Sequence, residues 1–204
     1  MRITTLIENR PGATDPHLAA EWGLSLHVAF GERSLLFDTG ASGAFADNAR
    51  RLSIDLAGVD AAVLSHHHYD HGGGLRHFFE LNSRAKVFLG PAPEGECVSR
   101  RAFGRTRPIG LDPDLLRDHE ARFATVREPV EILPGVHLLP RLTGEHPRPA
   151  GNKRLPLRKD GAFRPDDFAH EILMVIREGG GLVVFLGDAF AAAPAARPGQ
   201  PVAA

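Results

Sequence analysis

The stretch His66-His67-His68-Tyr69-Asp70-His71 places four candidate metal ligands, His66, His68, Asp70 and His71, within six residues. Gly72-Gly73-Gly74 follows directly. Imidazole nitrogen and carboxylate oxygen are the donors that suit zinc or iron. His66 and His68 alternate in an extended segment, so both point the same way. Asp70 and His71 follow as the chain turns and point to a neighbouring position. Donors split in this way suit two cations close together. A pair of cations can hold and deprotonate a water and polarise the bond under attack, so the chemistry expected is hydrolysis. His67 lies between two ligands on the opposite face and is expected to stand outside the centre.

The elements around this stretch read as an α/β layered fold. Met1–Ile7 reads as a first strand and residues 8–21 as a loop with Pro11, Gly12 and Pro16 as breakers. Leu24, Leu26, Val28 and Phe30 alternate with Ser25, His27 and Ala29, a half-buried strand that leaves His27 on the exposed side. Gly31-Glu32-Arg33 turns it into Ser34–Phe37 as a hairpin. A helix is expected from Ser42 to about Leu52. Ala61-Ala62-Val63-Leu64 is apolar throughout, as for a strand covered on both faces, and the histidines leave its C-terminal end. In layered α/β folds that edge of the sheet is where sites form. A short helix is expected at Leu75–Phe79 and a strand at Lys86–Leu89. Residues 90–124 read as irregular and basic, with Arg100, Arg101, Arg105 and Arg107 and a weak helix near Asp114–Glu120. Cys97 falls in this stretch and is read as incidental. Two short strands follow, split by Pro134-Gly135, and then a second basic loop with Arg141, Arg148, Lys153, Arg154, Arg158 and Lys159. Both loops fit either an electropositive rim for an anionic substrate or a solvated surface. Glu171–Ile176 and Leu182–Leu186 are clear strands around Gly179-Gly180-Gly181.

Composition narrows the function classes. A chain of 204 residues with 43% apolar and 24% charged residues is expected to form one globular domain, at 1–190. The Ala/Pro-rich stretch 191–204 is expected to be a disordered tail. A formal net charge of −1 gives no reason to expect a nucleic-acid or membrane partner. No apolar run reaches the length of a membrane span, and the N-terminus does not read as a signal peptide. With Cys97 as the sole cysteine, no internal disulfide is possible, and a reducing cytoplasm is the expected location.

The His-x-His-x-Asp-His pattern at 66–71, followed by glycines, resembles the signature of the metallo-β-lactamase superfamily. Phe37-Asp38-Thr39-Gly40 resembles its Asp-Thr-Gly turn, and Gly187-Asp188-Ala189 its later Gly-Asp element. The resemblance implies a four-layer αββα sandwich, shortened at its C-terminus. It implies that Asp38 supports the histidine loop from behind and that Asp188 bridges two metals. His170 stands 18 residues before Asp188, where the superfamily carries a ligand, and is preferred to His146. His66, His68 and His170 would then hold one ion, and Asp70, His71 and Asp188 the other. Asp70 would also orient the attacking water. Glu21–Ser25, Leu36–Gly40, Asp60–His66 and Asp167–Glu171 further resemble the branch named for a dihydropterin–aminobenzene ribofuranosyl phosphate synthase. That branch has Gly-Cys-Ser-His where this chain has Gly187-Asp188-Ala189-Phe190, and no histidine follows His170 to complete the second ion's ligands.

The function expected is a metal-dependent hydrolase with one or two zinc ions, iron or manganese being the substitutes. It would act on a small ester, lactone, amide or phosphoester, an anionic one if the arginine loops form a rim. The alternatives are a degenerate, non-catalytic metal- or ligand-binding member and a di-iron redox relative.

Overall fold

The computed structural model describes residues 1–12, 15–140 and 149–188. Arg141, His146, Arg148, Ala189, Phe190 and the expected tail at 191–204 lie outside the described residues. The strands are β1 (Arg2–Ile7), β2 (Ser25–Phe30), β3 (Arg33–Phe37), β4 (Ala61–Leu64), β5 (Lys86–Leu89), β6 (Glu96–Arg100), β7 (Thr106–Pro108), β8 (Phe123–Thr125), β9 (Val130–Leu133), β10 (Val136–Pro140), β11 (Leu157–Lys159), β12 (Ala162–Arg164), β13 (Ile172–Glu178) and β14 (Gly181–Phe185). The helices are α1 (Ala44–Arg51), α2 (Tyr69–Gly72), α3 (Leu75–Leu81) and α4 (Pro113–Asp118). Among the described residues, no helix is long and apolar enough to cross a membrane.

Two sheets face each other, as expected from the sequence. The first runs β1-β2-β3-β4-β5-β8 and the second β14-β13-β10-β9. In the first, β1, β2 and β3 pair antiparallel, whereas β3, β4, β5 and β8 pair parallel. Alternation along the strands separates two cores. Val28, Leu35, Phe37, Ala61 and Val63 point into the space between the sheets, against Leu138, Ile172, Met174, Ile176 and Phe185. Leu36, Ala62, Leu64 and Val87 point the other way, against Phe45 and Ala49 of α1 and Leu75, Phe78 and Phe79 of α3. Each such side chain contributes about 1.5–3 kcal/mol when fully buried.

The parallel strands decide where the site forms. Adjacent parallel strands end at the same edge of a sheet, so the segments after β3, β4 and β5 emerge side by side. The Asp38 N–H donates to the Val63 carbonyl at 2.9 Å, and the Thr39 N–H to the His71 carbonyl at 2.7 Å. The second sheet delivers its residues by a different rule. β13 and β14 pair antiparallel, with Met174 opposite Phe185, so the start of one and the end of the other share an edge. His170 precedes β13 and Asp188 follows β14. The Ile172 N–H donates to the Ser65 carbonyl at 2.8 Å and fixes that edge to the histidine loop.

Two expectations need correction. The stretches at 90–124 and 141–164 are not simply irregular: among the described residues they build a third antiparallel sheet, ordered β12-β11-β6-β7. Its central pair, β6 with β11, joins residues distant in sequence, Leu157 with Cys97 for example, and its strands are too short to show a period. His27 is buried, not exposed. Its strand sits inside a sheet covered on both faces, and Leu36, its neighbour on β3, belongs to the helix-side core. His27 Nε2 lies 2.7 Å from Ser34 Oγ, which accommodates the imidazole.

Candidate metal centre

Asp38 organises the centre. It ends β3 in a left-handed conformation, at φ 58°, which aspartate tolerates better than most residues. Its Oδ1 accepts the Ser65 N–H at 2.7 Å, and its Oδ2 accepts the Ser65 hydroxyl at 2.7 Å. Oδ2 also accepts His71 Nδ1–H at 2.7 Å. With its proton given to Asp38, Ser65 Oγ accepts His66 Nδ1–H at 2.9 Å. Both imidazoles therefore turn Nδ1 to these partners and Nε2 toward the centre. An imidazole fixed by a carboxylate or hydroxyl in this way is the arrangement of a metal ligand. Gly187 packs against the same group: a Cβ there would sit 2.0 Å from Ser65 Oγ and 2.9 Å from Asp38 Oδ2.

Asp188 closes the arrangement from the second sheet. Its Oδ2 is 3.9 Å from His66 Nε2 and 3.7 Å from His71 Nε2. These distances are too long for hydrogen bonds. They match two donors held across a zinc-type cation, with bonds of about 2.0–2.2 Å on each side. His66, Asp70 and His71 offer ligand atoms within 4.8 Å of one another. Asp70 is also bonded by the Trp22 side chain. Its neighbour across the cleft is Gly23, at φ +138°, where a Cβ would lie 2.0 Å from the Asp70 carbonyl oxygen.

Electrostatics favour a cation. Burial, reinforced by the surrounding imidazoles, holds His66 well below its ordinary value and pushes His68 down to about 3. These imidazoles stay neutral with lone pairs available, the form that binds metal. Burial also opposes charge on His71, but the Asp38 carboxylate overcomes it and raises the group to about 9. Partial burial raises both Asp70 and Asp188, His71 opposes both shifts, Asp38 adds to both, and Asp70 adds to that of Asp188. His66 and His68, held neutral beside crowded carboxylates, leave a place for positive charge, and His71 would give up its second proton when a cation binds.

His68 stands between His66 and His170. The ring centroids of His68 and His170 are 5.6 Å apart, and that of His66 lies 4.5 Å from His68 and 6.2 Å from His170. The six residues expected from the sequence thus converge at one edge. Ligand atoms of His66, Asp70 and His71 lie within 4.8 Å of one another, as do those of His68 and His170, and His66 stands beside His68. The His67 N–H donates to His170 Nδ1 at 3.2 Å, and the His67 ring lies 2.9 Å from the Gly90 carbonyl, away from the Asp188 side.

Two buried residues join His68 and His170 that sequence reasoning passed over. Cys97 and Asp166 offer ligand atoms within 4.8 Å of theirs. The third sheet brings Cys97 in: the Ile109 N–H donates to the Cys97 carbonyl at 2.9 Å, and the Tyr69 N–H to the Ile109 carbonyl at 2.8 Å. Asp166 Oδ1 accepts the Phe168 N–H at 2.7 Å, and Oδ2 lies 3.2 Å from His170 Nε2. Burial works against its charge, but the His170 hydrogen bond prevails and lowers it. Burial first, then nearby Asp166, pushes the Cys97 thiol up to about 12.

A cavity of about 540 Å³ opens on the centre, lined by His68, Asp70 and Asp188 together with Trp22, Arg101 and Arg107. The Arg107 guanidinium lies 4.8 Å from the Tyr69 ring centroid.

Comparisons with known proteins place the fold in a family. The family model of the metallo-beta-lactamase superfamily matches residues 24–202. The chain is 27% identical over 161 residues to a 7,8-dihydropterin-6-methyl-4-(beta-D-ribofuranosyl)-aminobenzene-5'-phosphate synthase of Methanocaldococcus jannaschii, covering 71% of this chain and 52% of that protein. It resembles the crystal structure of Tm1679, described as a metal-dependent hydrolase of the beta-lactamase superfamily, with a TM-score of 0.69 and 29% identity over 89% of this chain and 63% of that one. A metallo-beta-lactamase of Cronobacter sakazakii shares the fold, with a TM-score of 0.51 at 17% identity over 90% of this chain and 61% of that one. The chain therefore spans about half the length of the curated relative it matches. The chain belongs to the metallo-beta-lactamase superfamily.

Proposed function

We propose that this protein is a metal-dependent hydrolase that uses a metal-activated water on an ester, lactone, amide or phosphoester. The observation that carries the reading is the position of Asp188 Oδ2, 3.7 and 3.9 Å from two imidazole nitrogens whose far sides are locked by Asp38 and Ser65. His66, Asp70, His71 and Asp188 would hold one zinc-type cation, and His68 and His170 would hold another beside it, His68 also facing the cavity. When bound, such a cation supplies an activated water and polarises the scissile bond.

The protein's own groups do the rest. Asp70, held by Trp22 in the cavity lining, orients the water and takes up its proton. Arg101 and Arg107 bind the negative charge of a small substrate, and Trp22 offers a flat apolar face to its body. The single cysteine and the near-zero net charge fit a cytoplasmic enzyme with a small-molecule substrate. Hydrolysis assays across ester, lactone, amide and phosphodiester panels test the reading. Zinc-dependent turnover on one class, lost in Asp188→Ala, supports it; no turnover on any class by the zinc-loaded protein would sink it.

A further inference from the structure

A second cavity, of about 390 Å³, opens on the third sheet, with Arg100, Lys153, Arg164 and Phe163 in its lining. Ser99 and its partner Arg107 line the cavity at the metal centre, whereas Arg100, the next residue of β6, lines the second one. Successive residues of a strand point to opposite faces, so the end of β6 is a wall between the two cavities. We propose that the second cavity binds a small phosphate monoester with an aromatic body. The proposal does not depend on the hydrolytic reading, because none of these four side chains belongs to the metal centre.

The first observation is charge. Among the described residues, Arg100, Lys153 and Arg164 form no ion pair, whereas Arg158 and Lys159 of neighbouring β11 are paired with Glu96 and Glu94. Asp166 also lines the cavity, but both its oxygens are engaged, Oδ1 with the Phe168 N–H and Oδ2 with His170 Nε2. The second is shape. The Arg100 guanidinium lies 4.6 Å from the Phe163 ring centroid. Stacking of this kind holds a guanidinium flat and leaves its N–H edge for a phosphate. Phe163 is still 41% exposed, so part of its ring is open to a second apolar surface. Pro156 and Pro165 add apolar walls that carry no N–H donor. The third is size: small-molecule sites run from about 300 to 1,000 Å³, so this cavity suits a ligand of one ring and one anionic group.

Three cations in one cavity select the anion. A phosphate monoester carries about −1.5 to −2 charge at neutral pH and offers three acceptor oxygens. The two guanidiniums can each grip it with a pair of N–H groups, and the Lys153 ammonium adds a point charge. A carboxylate has one charge and two oxygens, and leaves at least one of the three cations unmatched.

The test is calorimetric titration of phenylphosphonate, whose C–P bond resists hydrolysis, into the full chain at low salt, with and without zinc. The proposal expects one saturable site that persists without zinc and binds inorganic phosphate more weakly. Arg164→Ala and Lys153→Ala, at exposed positions, should each weaken it by about tenfold, and Arg101→Ala should leave it unchanged. No saturable binding to the unaltered chain overturns the proposal. Binding that needs zinc, or that falls in Arg101→Ala but not in Arg164→Ala, places the probe at the metal centre and overturns it while leaving the hydrolytic reading intact. Equal affinity for inorganic phosphate overturns the aromatic part of the assignment. The zinc-free titration of the unaltered chain decides the matter even if a variant does not fold.

Discussion

Asp38 Oδ2 stands 2.7 Å from His71 Nδ1 and 2.7 Å from Ser65 Oγ, so one buried carboxylate fixes the orientation of two imidazoles, one of them through a serine. An asparagine at this position has only one acceptor atom. If its oxygen keeps the Ser65 N–H, its amide faces the Ser65 hydroxyl and the His71 N–H, donor against donor. Asp38→Asn is expected to weaken zinc affinity by about 10- to 100-fold, as for other carboxylates that orient histidine ligands. Competition against a chromophoric chelator measures it, and an unchanged affinity would show that Asp38 does not orient the ligands.

His66 and His67 are adjacent in sequence but face different partners. His66→Ala should lower the metal bound per chain and abolish turnover. His67→Ala should leave metal content unchanged, because its ring points to the Gly90 carbonyl. Leaving that buried carbonyl unsatisfied is expected to cost about 1–3 kcal/mol of stability. Metal analysis and urea denaturation of the two variants separate these outcomes, and metal lost from His67→Ala would make that residue a ligand.

Asn82 is fully buried beneath the loop that leads into β4. Its amide donates to the carbonyls of Leu56, Ala57 and Val59, and its Oδ1 accepts the N–H groups of Arg84 and Ala85. Asn82→Ala strands several of these groups at once. A loss of about 2–4 kcal/mol is expected, with metal affinity preserved in the fraction that stays folded. Denaturant melts check the first statement; a loss below about 0.5 kcal/mol would contradict it.

His27 makes stability depend on pH. Burial, with Arg2 adding to it, lowers its pKa in the folded protein from the ordinary value of 6.5. The unfolded chain therefore binds a proton at a higher pH than the folded one does. The contribution of neutral His27 is complete above pH 6.5 and is lost as pH falls from there through the folded value. Between pH 7 and pH 5 the metal-free His27→Gln variant should lose less melting temperature than the unaltered chain. Parallel losses in the two proteins would contradict this. The comparison cancels the other histidines, which titrate in both.

The sequence carried the front half of the site openly. Ala61–Leu64 reads as a buried strand because it lies between two packed layers, and the histidines follow it without interruption. Asp38, His170 and Asp188 were suggested only by the resemblance to the superfamily's motifs. The pairing of β13 with β14 brings the last two to one edge. Cys97 and Asp166 gave no such signal. Cys97 sits in a strand of five residues whose partner, β11, lies about sixty residues away. Asp166 lies in a turn with no repeating pattern, and only the folded chain brings it to His170. His27 was misread for a related reason: alternation within one strand cannot tell a solvated face from one covered by helices.

The central claim is that His66, His71 and Asp188 share a cation. Anomalous scattering at the zinc absorption edge, from crystals of the zinc-loaded protein, tests it most directly. The account predicts a peak within bonding distance of His66 Nε2, His71 Nε2 and Asp188 Oδ2. Zinc-loaded crystals with no peak between these three atoms would contradict it.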